Sequence, residues 1–134
     1  MEETSELAVE QLEQNLSQRV TLLYLTDLGH QPHQVSCKLV DKTLTIVIED
    51  SITRLEQFLA KSNRQEIAKQ VRVNLHKALE PHLKALIEEV VKIPVIDLLS
   101  DSAFDTNRTS VVAVLATVPA LDDPGLNGNL KQEQ

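Results

Sequence analysis

The chain has 134 residues, 42% hydrophobic and 25% charged, with a net charge of −7; this is the balance of one soluble globular domain with an aliphatic core. That charge and the scarcity of aromatics (Tyr24, Phe58, Phe104, no Trp) argue against a nucleic-acid partner, because phosphate binding takes clustered Lys and Arg and base stacking takes aromatic platforms. The lone Cys37 permits no intrachain disulfide and suits a cytoplasmic setting, while Met1 to Thr4 lack a leader's basic and apolar regions and no apolar run approaches spanning length, so direct membrane insertion is not expected.

From about Glu6 to Leu28, Val9, Leu12, Leu16, Val20 and Leu23 form a helical stripe. Leu22 to Leu25 are apolar nearly all round, which predicts a deeply buried helix end. Gly29 is placed to end the helix in a left-handed conformation, and Pro32 blocks its resumption. Val35, Cys37 and Leu39 then alternate with Ser36, Lys38 and Val40, and Leu44, Ile46 and Ile48 with Thr43, Thr45 and Val47, across a short Asp41-Lys42 gap. That pattern predicts a β-hairpin.

Thr53-Arg54-Leu55-Glu56 is a capping box ahead of a short helix ending near Lys61. Ser62-x-x-Gln65 offers a similar start to a long helix whose stripe runs Ile67, Val71, Leu75, Leu79, Leu83, Leu86 and Val90. Pro81 falls inside it and predicts a bend rather than a fresh start. Pro94 ends the helical stretch; Ile93–Leu99 reads as one strand and Thr109–Val118 as another. The expected fold class is α+β in the order α-β-β-α-α-β-β: a four-stranded, mostly antiparallel sheet packed against two long helices and one short helix. Residues 1–118 are expected to form one domain of two similar halves, about 6–50 and 62–118, followed by a disordered tail, 119–134. The strand from Thr109 is apolar at nearly every position, which implies that both faces are covered. One helical layer covers one face, so a homodimer is expected to cover the other.

Chemical signatures are sparse. His30 and His33 flank Gln31-Pro32 without the further ligands that structural zinc takes. His76 and His82, six apart on the long helix, do not share a face, and His76 with Glu80 is an ordinary helical pair. Cys37 reads as a buried, inert thiol. Carboxylates gather at Glu49-Asp50 and at Asp97, Asp101 and Asp105, but in no calcium-loop pattern. Asp97 interrupts an apolar run, with Arg72, Arg54 and Arg108 as candidate partners. A half-buried Asp97–Arg72 pair is the structural expectation, and Arg72, Asp97 and Arg108 are the only candidates for a ligand or polar site. No catalytic, cofactor-binding or metal-ligating residues are expected.

Several segments together resemble the bacterial MpsC-like family over about residues 10 to 118: Leu28-Gly29-His30-Gln31-Pro32, Leu44-Thr45-Ile46-Val47-Ile48-Glu49, Ile52-Thr53-Arg54-Leu55-Glu56-Gln57-Phe58-Leu59, Val71-Arg72, and Asp97-Leu98-Leu99-Ser100-Asp101 with the closing strand. Where many relatives carry Gly-x-Gly-Pro, this chain has Gly29-His30-Gln31-Pro32. The resemblance implies a small soluble partner of a sodium-translocating or inorganic-carbon-uptake membrane system. On this reading the chain is a non-enzymatic interaction or regulatory module, cytoplasmic and peripheral to a membrane transport complex. The rival reading is an enzyme or small-ligand or anion sensor built on an Arg/Asp site.

Overall fold

A computed structural model describes residues 2–120 of the chain. Seven elements follow one another: α1 (Glu2–Leu28), β1 (Gln34–Val40), β2 (Thr43–Glu49), α2 (Arg54–Lys61), α3 (Gln65–Val91), β3 (Val95–Ala103) and β4 (Arg108–Leu115). This is the expected α+β order. The sheet is antiparallel throughout, in the order β1-β2-β4-β3. Two helix-then-hairpin units therefore meet at the β2/β4 seam.

Helix α1 stops where the sequence indicates. Gly29 has φ +62° and its amide donates to Leu25 O, the bond of a left-handed helix ending; the His30 amide donates to Tyr24 O. Asp41, also left-handed, turns the chain between β1 and β2. Helix α3 is continuous through Pro81. Its start departs from expectation: Ser62 is instead the C-cap of α2, and Arg64 stands at the N-cap of α3 without a side-chain bond. Asn63, with φ +61°, makes the reversal between the two helices.

The core lies between one face of the sheet and the helices α1 and α3. Leu44, Ile46 and Ile48 of β2 and Val111, Ala113 and Leu115 of β4 pack with Leu16, Val20 and Tyr24 of α1 and Leu79, Leu83 and Ile87 of α3. Each large aliphatic side chain buried there contributes about 1.5–3 kcal/mol. Glutamates on the two long helices also hold the edge strands. Glu13 accepts the Leu39 amide and Glu88 the Val95 amide, both at 2.8 Å.

Two further expectations are corrected. Leu22 and Leu25 are exposed and only Tyr24 is buried at the end of α1, because one flank of the helix meets the sheet and α3 while the other meets water. Strand β4 ends at Leu115, and only its Thr109, Val111, Ala113 and Leu115 side is fully buried. Val112 and Val114 lie half-buried on the outer face, which none of the described helices covers. Of the expected disordered tail, Pro119 is buried, and residues 121–134 lie outside those described.

Candidate functional site

The polar centre of the molecule forms where α2, α3 and the Ser51-Ile52 link meet the end of β4. Arg72 donates from Nε to Glu56 Oε2 at 2.7 Å and from Nη2 to Glu56 Oε1 at 2.6 Å. Nη2 also donates to the Ser51 carbonyl at 3.0 Å. The two side chains are 3% and 0% exposed, so this is a forked, fully desolvated ion pair. Local sequence explains the position of Glu56. Its Oε1 accepts from the Thr53 amide and hydroxyl, and Thr53 Oγ1 accepts from the Glu56 amide, completing the capping box. The cap fixes the rotamer that Arg72 then grips.

Beside the ion pair runs a chain of hydroxyls. Ser51 Oγ meets Thr109 Oγ1 at 2.7 Å, Thr109 Oγ1 meets Ser102 Oγ at 2.6 Å, and Ser102 Oγ meets His76 Nε2 at 3.0 Å. The Tyr24 phenol faces Arg72 and Thr109, and burial pushes its pKa up despite the pull of Arg72. Burial, reinforced by Arg72, pushes the His76 pKa down, so the imidazole stays neutral at pH 7. The spacing of Ser102 and His76 is that of a nucleophile and its base. However, Ser102 is also bonded to Thr109, and the adjoining cavity of about 20 Å³, lined by Tyr24, His76, Ser100 and Thr109, has room for about one water. A scissile group has no place to sit there, and the hydroxyl chain closes the end of the sheet.

The three side chains singled out from sequence fall in three places. Arg72 lies inside, with Glu56 rather than Asp97. Asp97 is exposed on β3, directly after a bulge between Val95 and Asp97 that turns it to the outer face, away from the helices. Arg108 donates to Glu49 across the β2/β4 seam at 2.7 Å, with both side chains substantially exposed. The expected Asp97–Arg72 pair is therefore not formed. Its physical replacement is Glu56, which sequence reading assigned only to a cap. The local pattern of α2 points the other way: Leu55 and Phe58 share one arc of that helix and Glu56 the opposite one, an arrangement that by amphipathicity alone would put Glu56 in solvent.

The histidine and cysteine positions are equally specific. His30 Nε2 is 2.6 Å from the Asp50 carbonyl, and among the described residues no three His, Cys, Asp or Glu side chains converge as a metal site. His76 bonds Ser102 rather than Glu80. Cys37 is buried at the floor of a groove shared with Glu10, Glu13 and Ser17. Desolvation foremost, with the Glu13 charge adding to it, pushes its thiol pKa up.

Helix α2 has the opposite of the usual arrangement. Its glutamate is buried while Leu55 and Phe58 are 62% and 67% exposed, flanked by the exposed cations Arg54 and Lys61. The ion pair anchors α2 to α3 by its polar side and leaves an apolar arc facing solvent.

Compared with known proteins, the chain matches over residues 8–117 the family described as Na+-translocating membrane potential-generating system (MpsC). No curated protein and no solved structure matches it. No helix among the described residues is long and apolar enough to cross a membrane.

Proposed function

On the premise that the chain belongs to the MpsC family, we propose that it is a small, non-enzymatic accessory module of a Na+-translocating, membrane-potential-generating system. It works from the cytoplasmic side, peripheral to the membrane complex. The observation that carries this reading is the outward apolar arc of α2, with Leu55 and Phe58 exposed over a buried Glu56–Arg72 anchor. A helix held by its polar side and presenting its apolar side is built to dock into a partner's groove. Arg54 and Lys61 at its flanks favour an acidic rim on that partner.

The test is a Na+-dependent membrane potential, followed with a potential-sensitive dye in vesicles from cells lacking the protein. Added wild-type protein should restore the signal, and a Leu55→Asp/Phe58→Asp variant, folded by circular dichroism, should not. A potential of equal size with and without the protein would remove this reading.

A further inference from the structure

The outer face of the sheet has a charge pattern that is complementary to itself. The strand registers set it out in four rows across β1, β2, β4 and β3: Val40, Thr43, Val114, Asp97; Lys38, Thr45, Val112, Leu99; Ser36, Val47, Ser110, Asp101; and Gln34, Glu49, Arg108, Ala103. The centre is valine and threonine. The one cation at the β1 edge is Lys38, and the β3 edge carries Asp97 and Asp101. Leu99, 65% exposed, stands between those two aspartates, and Val40 and the bulged Ile96 are exposed at the same end of the sheet.

We propose that this chain forms a twofold dimer by stacking the outer sheet faces of two copies, about an axis that runs parallel to the strands between β2 and β4. That operation lays β1 over the partner copy's β3 and β2 over its β4, with each row meeting the same row. Lys38 then comes down beside Leu99 of the second copy, between Asp97 and Asp101. Its stem covers the leucine while its ammonium reaches the carboxylates. Glu49 of each copy meets Arg108 of the other, so the pair within one sheet becomes a four-charge cluster. Val40 meets Asp97 at the start of the opposite β3, next to the exposed Ile96, and the valines of β2 and β4 close the centre. Sheets stacked this way pack about 10 Å apart with strands within about 30°.

The other face-to-face twofold, about an axis perpendicular to the strands, lays β3 on β3. It sets Leu99 against Asp101 and gathers four aspartates along one edge with only Arg108 beside them, while Lys38 meets the uncharged Ser36 of the second copy, so electrostatics disfavour it. The footprint, about 20 Å by 23 Å from strand spacing and rise, is below the standard size of stable complexes, so the test is set at high protein concentration. This dimer is independent of the α2 docking reading, because it uses the opposite side of the molecule from the helices.

Sedimentation of the full chain at about 100 μM should report twice the 15.0 kDa monomer. Lys38→Glu alone, and Asp97→Lys/Asp101→Lys alone, should each weaken association by roughly tenfold or more, and the triple variant should recover it. Leu99→Glu, at an exposed site, should give a folded monomer. A wild-type monomer at that concentration, a dimer indifferent to either charge reversal, or a folded triple variant that stays monomeric would overturn the proposal.

Discussion

Replacing Glu56 with Leu should be among the costliest single changes in the molecule. Glu56 and Arg72 are 0% and 3% exposed, so the substitution strands a guanidinium that cannot deprotonate, in a place water does not reach. Removing one member of such a pair costs about 3–5 kcal/mol. Loss of the capping box adds about 1 kcal/mol. Arg72 Nη1 already lacks a hydrogen-bond partner among the described residues, so the guanidinium has little alternative bonding to fall back on. Arg72→Met should cost about 3 kcal/mol, the lower end for breaking such a pair, because the remaining carboxylate keeps its Thr53 bonds. Glu56→Leu/Arg72→Met removes both charges and should recover much of the loss, giving a coupling of about 3 kcal/mol or more in a double-mutant cycle. Urea unfolding measures all four corners, and for a chain of this size each kcal/mol moves Tm by about 3–5 °C. An additive cycle, or an Arg72→Met cost below about 1 kcal/mol, would refute the claim that this pair anchors α2. The same cycle on Arg72 and Asp97 should show no coupling.

Two further outcomes follow from burial. His76 has its pKa lowered in the folded protein, so the unfolded chain takes up its proton first as pH falls. Its contribution is constant above the ordinary value of about 6.5 and becomes destabilising from there down to the lowered folded pKa. Stability measured from pH 7 towards 5 should fall less steeply in His76→Gln, and equal slopes would show that His76 is not the sensor. The Cys37 thiol, buried with its pKa raised and with Glu10 and Glu13 beside its groove, should react with an anionic thiol reagent far more slowly in native protein than in urea. Equal rates would show that the site is open.

The elements were legible because their signals are local. Gly29 ends α1 for a steric reason that one residue carries, the capping box of α2 needs only Thr53 and Glu56, and the two-residue alternation of β1 and β2 needs only neighbours. The start of α3 misled because Ser62-x-x-Gln65 has the spacing of a cap, but Ser62 was already engaged in closing α2. Spacing shows what a residue can do, and competition between adjacent elements decides what it does. Leu22 and Leu25 misled in the same way, since an apolar run on a helix does not say how many sides find a partner.

By itself the sequence determined the order and kind of the elements, the inner faces of β1 and β2 and the family resemblance, all of which rest on periodicities and contacts within a few residues. The tertiary structure alone decided which carboxylate Arg72 holds. Glu56, sixteen positions away, and Asp97, farther along the chain, are equally plausible partners on paper, and only the α2–α3 hairpin and the β3 bulge send one inward and the other outward. The self-complementary charge pattern of the outer sheet face likewise exists only once β2 lies beside β4. Strand register between segments 59 to 71 residues apart is set by packing of the whole core, which no local pattern encodes.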